Sequence, residues 1–238
     1  MAQTLLDQAE FAENPEPRCP VVLLLDTSAS MEGAPIQELN DGLQELAVAL
    51  REDPLASLRV EIAILTFGGQ VVGLDARDGS AAVVPIDAQS LFCPVDDFHP
   101  PVLTARGDTR MGEAMRQALT LLRDRKEIYR QAGLDYFRPW IFLLTDGHPT
   151  DRGWETAAEE AQMEEARKGV LVFPVGVEGA NLKTLAKFAQ RPPLRLHGLA
   201  FREFFQWVSK SLTAVAQSRP GDQVALPPAT WAAVDTGS

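Results

Sequence analysis

The sequence predicts an α/β fold in which a mostly parallel central sheet is covered by helices on both faces. Continuous aliphatic runs such as "VVLLLD" are typical of parallel strands that are buried on both faces. These runs alternate with segments in which apolar residues recur every three or four positions, which is the period of an amphipathic helix. Strands separated by helices of this length imply right-handed crossovers and therefore a parallel sheet.

The first half of the chain contains two strands, a helix and a hairpin. "CPVVLLLD" is the first strand, and a helix follows from Pro35, because proline is favoured at the first helical position. "RVEIAILTF" is the second strand, and "GGQ" turns it into "VVGLDA", which predicts a hairpin at the sheet edge. Residues 76 to 106 are the least regular part, although "AAVVPI" favours a short strand. The apolar face of the helix consists of Ile36, Leu39, Leu43, Leu46 and Leu50.

The second half repeats the alternation of helix and strand. A helix from Met111 to about Arg130 precedes the strand "PWIFLLTDG", and a helix in "DRGWETAAEEAQMEEARKG" should end at Gly169. The strand "VLVFPVGV", a short helix in "NLKTLAKFA", a short strand near "LRLHG" and a helix from about Phe201 to Ala216 complete the domain. The predicted inward faces are Met111, Ala114, Met115, Ala118, Leu119 and Leu122 in the first of these helices, and Phe201, Phe204, Phe205, Val208, Leu212 and Val215 in the last.

The chain is long enough for one sizeable core with a tail at each end. We assign residues 1–18 to a loose leader, 19–217 to one domain and 218–238 to a Pro/Ala-rich tail. The composition of the tail favours disorder. The alternative is a segment that docks in cis or on a partner through Leu226, Pro227, Pro228 and Trp231.

Composition excludes several classes of function. The net charge of −11 argues against nucleic acid and against anionic membrane surfaces, both of which select basic proteins. The chain shows neither the pattern of a signal peptide nor an apolar run of about 18 residues that would span a membrane. Cys19 and Cys93 lack the spacing of a metal site, so we expect two reduced thiols in a cytoplasmic protein.

Polar side chains follow the predicted strands at the edge of the sheet where ligands of such folds bind. Asp26, Ser28 and Ser30 leave the first strand at alternate positions, which point to the same side of an extended segment. Thr109 lies just before a helix, and Asp146 ends another buried strand. The set contains carboxylates and hydroxyls only, which suits a hard divalent cation such as Mg²⁺ or Mn²⁺.

Each of these clusters has an ordinary explanation when it is taken alone. The segment from Asp26 to Ser30 is compatible with a polar turn, Thr109 with a helix N-cap, and Asp146 followed by Gly147 with another turn. We interpret Asp151 as the cap of the helix that follows it rather than as a ligand. The placement of all the clusters at one end of one sheet favours a metal site.

Three segments resemble the metal-ion-dependent adhesion site of von Willebrand factor type A domains: "LLLDTSASMEG", "GDTRMGEAM" and "FLLTDGHPTD". Within that superfamily, "CPVVLLLDTSASMEGAPIQELNDGL", "LTDGHPTD" and "FFQWVSKSL" resemble bacterial TerY-type proteins associated with tellurium resistance and stress-response operons. The resemblance implies a Rossmann-like fold with one antiparallel edge strand. It also implies that Ser28, Ser30 and Thr109 contact the metal directly, whereas Asp26 and Asp146 often act through water.

The resemblance also implies partners, because TerY-like proteins are typically encoded beside a protein kinase and a PP2C-type phosphatase. A metal held largely by neutral hydroxyls remains short of negative charge, so it favours an Asp or Glu carboxylate from a partner. Arg106 and Arg110 flank Thr109 in the sequence and are either aids to such an acid or ordinary solvated arginines. We therefore predict a metal-dependent protein–protein interaction module.

The alternative function is a Mg²⁺-dependent hydrolase or phosphatase that uses the same acidic site. Aspartyl-phosphate phosphatases have a second Asp two positions after the nucleophile, where this chain has Ser28. The chain lacks the G-x-S-x-G, P-loop and G-x-G-x-x-G motifs, and we interpret His148 as a surface-loop residue rather than a general base. We expect no enzyme activity, and the presence of all five site positions disfavours a purely structural domain.

Overall fold

One central sheet joins the described parts of the chain, and the predicted α/β fold class is confirmed. The computed structural model describes residues 14–177, 179–196 and 200–229, together with the backbone of residues 232–234. Within these ranges the sheet has nine strands. They are β1 (Cys19–Asp26), β2 (Val60–Gly68), β3 (Gln70–Leu74), β4 (Val83–Val84), β5 (Cys93–Pro94), β6 (Trp140–Thr145), β7 (Leu171–Gly176), β8 (Leu194–Leu196) and β9 (Ala232–Val234).

The strand order places β1 in the middle of the sheet. The order is β4-β3-β2-β1-β6-β7-β8-β9, and β5 pairs with β2 outside this path. Strands β1, β2, β6, β7 and β8 are parallel to one another, whereas the predicted hairpin makes β3 antiparallel to β2. Because parallel strands end at the same edge, the polar segments that follow β1 and β6 leave the sheet side by side.

Helices cover both faces of the sheet, and each face has its own core. The helices are α1 (Ala34–Arg51), α2 (Pro54–Arg59), α3 (Met111–Ala132), α4 (Trp154–Ala166), α5 (Leu182–Leu185) and α6 (Phe201–Ala216). The first core lies under α1, α2 and α6, and the second under α3, α4 and α5; side chains of β1 alternate between the two, as the period of a strand requires. Every apolar position predicted to face inward from α1, α3 and α6 is buried.

Aromatic side chains fill the core beneath α6. The ring of Phe142 in β6 stacks on that of Phe173 in β7, with centroids 5.0 Å apart, and meets the ring of Phe204 edge-on at 5.7 Å. Trp140 and Trp207 extend the cluster at both sides. Such contacts add to the free energy of burying large apolar surfaces, so this cluster anchors α6 to the sheet.

The sequence patterns did not predict two short elements, α2 and β9, or the end of α4. Helix α2 begins after Asp53, whose carboxylate accepts hydrogen bonds from the amides of Leu55 (3.0 Å) and Ala56 (2.7 Å). Strand β9 lies in the tail and pairs with β8 in antiparallel orientation. Helix α4 ends at Ala166 rather than at Gly169, because Lys168 already adopts a left-handed conformation with φ of 59°.

The last residues of the predicted leader are held against the domain, and residues 1–13 lie outside the described ranges. The amide of Arg18 donates to the carbonyl of Asp135 at 3.0 Å, and the carbonyl of Arg18 accepts from the amide of Phe137 at 2.8 Å. The Arg18 side chain is buried. The loose leader predicted from the sequence therefore does not extend as far as Arg18.

A buried ionic network joins this segment to the sheet. Glu61 of β2 accepts hydrogen bonds from Nε of Arg18 (3.0 Å), from Nη2 of Arg125 (2.6 Å) and from the hydroxyl of Tyr129 (2.6 Å). All four side chains are buried. The guanidinium of Arg125 also lies 5.2 Å from the centroid of the Phe92 ring. Glu61 thereby ties β2, α3 and the start of β1 together at the end of the sheet away from the predicted metal site.

Part of the C-terminal tail docks in cis. The indole Nε1 of Trp207 donates to the carbonyl of Pro227 at 2.7 Å, and Val224, Leu226 and Ala229 pack against the core. Trp231, the other candidate docking residue, lies outside the described residues. Along residues 224–229 the structure therefore agrees with the docking interpretation rather than with disorder.

The cysteines are free thiols, as expected. Cys19 and Cys93 are both buried, and burial raises the pKa of each to about 12. A thiol with such a pKa is a poor nucleophile at neutral pH, so both act as small core residues. Among the described helices, none has the length and apolar character needed to cross a membrane.

We predict that Glu61→Gln strongly destabilises the fold, because the change leaves buried guanidinium groups without their carboxylate. The expected loss is about 3–5 kcal/mol in the free energy of unfolding measured by urea denaturation. Glu127→Gln is the matched control, because its 3.3 Å pair with Arg130 is exposed and should contribute less than about 1 kcal/mol. Equal losses for the two variants would contradict the structural role of the buried network.

Candidate metal centre

Asp26 is the innermost residue of the predicted site. It is the last residue of β1 and is fully buried. Its Oδ1 accepts a hydrogen bond from the amide of Ser28 at 2.8 Å, and its Oδ2 accepts one from the hydroxyl of Thr145. Burial raises the pKa of Asp26 to about 6, against the opposing effect of these hydrogen bonds and with a further rise from the charge of Asp146.

A chain of oxygen atoms connects the first polar cluster to the third. The hydroxyls of Ser28 and Ser30 are 3.0 Å apart, and Ser30 Oγ donates to Asp146 Oδ1 at 2.8 Å. Ser28 is buried, whereas Ser30 is exposed and Asp146 is half-buried. The cluster thus rises from the core to the surface and is open to solvent on its outer side.

Backbone hydrogen bonds anchor the loop that carries Thr109. The loop forms backbone hydrogen bonds with two neighbouring turns, the one after β1 and the one between β2 and β3. The bonds are Arg106 N to Thr27 O (2.6 Å), Ala29 N to Gly107 O (3.0 Å) and Gly69 N to Asp108 O (2.9 Å). Main-chain bonds of this kind fix the loop without using the side chains that form the site.

Glycines allow these backbones to approach one another. A Cβ atom on Gly68 would clash with the carbonyl oxygen of Thr27 and would lie 2.5 Å from that of Arg106. Gly107 has φ of 78°, and its Cβ atom would lie 2.7 Å from Cα of Gly69. The "GG" that the sequence predicts as a hairpin turn is therefore also the contact surface for the loop of Thr109.

Asp151 caps a different helix from the one predicted. Its carboxylate accepts hydrogen bonds from the amides of Gly112 (3.2 Å) and Glu113 (2.8 Å), which begin α3, rather than from α4 that follows it in the chain. The N-cap position of α3 is Arg110, which makes no capping hydrogen bond with its side chain. Asp151 performs the capping that an N-cap side chain would otherwise supply, so Thr109 is not the cap of α3.

The space beside Gly147 shows that Thr109 belongs to the same cluster. A Cβ atom on Gly147 would lie 3.2 Å from Thr109 Oγ1 and 3.8 Å from Asp26 Oδ2. The structure therefore brings together all five residues predicted for the site, which are Asp26, Ser28, Ser30, Thr109 and Asp146.

The donor set fits a hard divalent cation. It contains only carboxylate and hydroxyl oxygens, the ligands that Mg²⁺ and Mn²⁺ prefer. Among the described residues, no group of three or more His, Cys, Asp or Glu side chains is arranged to hold a metal. Of the five residues brought together, Asp26 and Asp146 are the two that carry carboxylates, and the other three contribute neutral hydroxyls, which leaves a divalent cation able to attract a further carboxylate.

Sequence patterns missed two residues that build the site. Thr145 is fully buried, and its hydroxyl donates to Asp26 while accepting from the amide of Gly147 at 3.1 Å. The available signal was a hydroxyl at the buried end of an otherwise aliphatic strand. Gly147 resembled an ordinary turn glycine, and only its position beside Thr109 shows that it keeps the centre of the site open.

Charged residues at the rim differ in how free they are. Arg110 forms an exposed ion pair with Glu113, with Nη1 and Oε2 3.2 Å apart. Arg106 is exposed and has no ion pair among the residues that the structure describes. His148 is exposed, and its Nδ1 lies 3.5 Å from Nδ2 of Asn181, in agreement with its interpretation as a surface-loop residue.

Comparison with known families identifies the domain. Residues 21–206 match the model of the von Willebrand factor type A domain, which covers all three polar clusters. None of the curated protein sequences compared with this chain matches it.

Solved structures with a similar fold come from diverse proteins. They include a von Willebrand factor type A protein from Catenulispora acidiphila (18% identity, TM-score 0.56, 83% of this chain and 43% of that chain). Another is proximal thread matrix protein 1 from the mussel byssus with zinc in its metal-ion-dependent adhesion site, or MIDAS motif (15% identity, TM-score 0.52, 83% of this chain and 48% of that chain). A third is the pilus adhesin SpaC from Lactobacillus rhamnosus GG (13%, 0.59, 85% and 31%). Each of these three chains is matched over less than half of its own length.

We predict that Mg²⁺ or Mn²⁺ binds in the micromolar to millimolar range and raises the melting temperature. A ligand that binds only the folded state at a hundredfold excess over its Kd adds about 2.7 kcal/mol. For a domain of this size, that is a rise of about 5–10 °C. Asp26→Ala should lose the response, whereas Asp124→Ala, an exposed carboxylate on α3, should keep it. A wild-type melting temperature that ignores both metals would show that the site does not bind them.

We also predict that Gly147→Ala weakens metal binding about tenfold without unfolding the protein. The added methyl group would crowd the Thr109 hydroxyl at 3.2 Å, whereas the backbone of Gly147 is not among those with positive φ. Metal titration followed by calorimetry measures the affinity, and urea denaturation in EDTA should show a stability within about 1 kcal/mol of wild type. Unchanged metal affinity would mean that the space beside Gly147 is not part of the site.

Proposed function

Because the chain belongs to the von Willebrand factor type A domain family, we propose that it is a metal-dependent protein-interaction module. Domains of this family that carry the metal site act as such modules. The observation that carries the proposal is the connected set of oxygen atoms from Asp26 through Ser28 and Ser30 to Asp146, with the Thr109 hydroxyl beside it.

Each site residue has a distinct part in this proposal. Ser28, Ser30 and Thr109 would hold Mg²⁺ or Mn²⁺ directly, and Asp26 and Asp146 would act through water. The zinc-occupied site of the mussel byssus protein supports a metal at this position of the fold. The bound cation would supply a positive charge that neutral hydroxyls leave largely unneutralised. A partner would reach the cation from the side of Ser30, which is exposed.

The partner would contribute an Asp or Glu carboxylate. At long range the net charge of −11 repels an acidic surface. Close to the site, Arg106 offsets this repulsion, because it is exposed and unpaired among the described residues. Arg110 contributes less, because Glu113 already neutralises it. The two arginines therefore differ in their surroundings, although their positions in the sequence suggested the same role for both.

We further propose that the module acts in a TerY-like stress-response or signalling system in the cytoplasm, with a protein kinase and a PP2C-type phosphatase as candidate partners. This part rests on the resemblance of three sequence segments. We propose no enzyme activity, because Asp26 has no exposed surface and Ser28 stands where aspartyl-phosphate phosphatases have a second Asp.

We predict that Thr109→Ala abolishes metal-dependent binding to the partner while leaving the fold intact. The change removes a proposed metal ligand, and α3 keeps the capping contacts of Asp151. The measurement is surface plasmon resonance with the two candidate partners, a protein kinase and a PP2C-type phosphatase, in Mg²⁺ and in EDTA. Thr104→Ala, an exposed threonine of the same loop, is the matched control and should bind as wild type does.

Two further arms sharpen the test. Arg106→Gln should weaken binding a few-fold at low salt and make it less sensitive to added salt, whereas Arg110→Gln should change it less. A complex that survives both EDTA and Thr109→Ala would overturn the metal-dependent mechanism. If neither candidate partner binds wild type although metal binding is normal, only the TerY-like assignment fails.

A further inference from the structure

A basic cavity lies at the end of the sheet opposite the metal centre. Its volume is about 760 Å³, and it opens beside Trp140 and Leu171, the first residues of β6 and β7. Tyr136 and Phe137 contribute an aromatic wall, and residues 221–224 of the docked tail contribute another. The cationic residues that line it are Lys126, Arg130, Arg138, Arg167, Lys168 and Arg191, against the single acid Asp222.

The lining of this cavity is positively charged, whereas the whole chain has a net charge of −11. Several of the cations are held by neutral groups that leave their charge in place. Nζ of Lys126 donates to the carbonyl of Gly169 at 3.1 Å, and Nε of Arg138 donates to the carbonyl of Val170 at 2.7 Å. These bonds orient the side chains without neutralising them.

The ion pairs that exist around the cavity are incomplete. Arg130 pairs with the exposed Glu127 at 3.3 Å, and Arg167 pairs with the half-buried Glu164 at 3.9 Å. Arg191 donates to Glu165 through Nη2 at 3.2 Å and lies over the Phe173 ring. Its Nε is buried and makes no hydrogen bond within the described residues.

The cations are close enough to repel one another. The pKa of Lys126 is lowered by burial and further by Arg130, against an opposing effect of Glu164. The pKa of Arg138 is lowered by burial and further by Arg191, against an opposing effect of Glu165. Glu164 and Glu165 offset part of this repulsion, and a bound anion would offset it further.

We propose that this cavity binds a small anionic ligand that carries two or more phosphate groups. Each phosphate monoester carries about −1.5 to −2 charges at neutral pH, and guanidinium groups match its oxygens in geometry. The six lining cations exceed by two the four acids beside them, which are Asp222 and the ion-pair partners Glu127, Glu164 and Glu165. The cavity is far larger than a single phosphate and has room for a linked pair.

Titration calorimetry with pyrophosphate, in EDTA and at constant ionic strength, tests the proposal apart from the metal site. Wild type should bind pyrophosphate more tightly than orthophosphate and should give no signal with matched NaCl. The double variant R167Q/K168N should bind pyrophosphate about tenfold more weakly. Asparagine is chosen for Lys168 because it tolerates the left-handed φ of 59° at that position.

Two controls separate a built site from general attraction. The variant R195Q/K210Q loses the same charge at exposed positions that do not line the cavity and should bind as wild type does. Asp222→Asn should bind pyrophosphate a few-fold more tightly, because it removes the lining acid and keeps an acceptor for the Arg219 amide, now 2.9 Å from Asp222. Equal effects of the two double variants, equal affinity for orthophosphate and pyrophosphate, or no binding by wild type would overturn the proposal.

Discussion

The carboxylate of Asp26 sits at the end of a central strand with no exposed surface, and a charge in that position is costly unless its oxygens accept hydrogen bonds. The amide of Ser28 and the hydroxyl of Thr145 meet this need. The same Thr145 hydroxyl accepts from the amide of Gly147, so one buried oxygen orders the loop that presents Asp146. The two loops that leave β1 and β6 are thus coupled through a single acid, and the arrangement of the site follows from it.

Much of this could be predicted from local patterns. The buried strands appear as aliphatic runs and the long helices as periodic apolar positions. Both signals are local, because each can be recognised within a short stretch of sequence. The proximity of the five residues predicted for the site could be foreseen because parallel strands end at one edge, so that Asp26 and Asp146 lie close together there. The inward faces of α1, α3 and α6 were correct for the same reason.

Other features depend on partners far away in the chain, and sequence patterns do not show them. Asp151 caps α3 because the start of α4 packs against the start of α3, so the nearest helix in sequence was the wrong one. The leader ends earlier than expected because the side chain of Arg18 donates a hydrogen bond to the carboxylate of Glu61 in β2. The tail was ambiguous because its few apolar residues need Trp207 and the core beneath it to dock.

Strand β9 has a consequence for the behaviour of the protein in concentrated solution. A sheet edge presents unpaired amides and carbonyls that can recruit a strand from another molecule. Here β9 covers the edge of β8 and has three residues, and β4 at the other edge has two. Such short edges offer too few free backbone groups to template a long intermolecular ladder. Within the part of the chain that the structure describes, these short edge strands disfavour edge-to-edge pairing of sheets, and loss of β9 would expose the edge of β8.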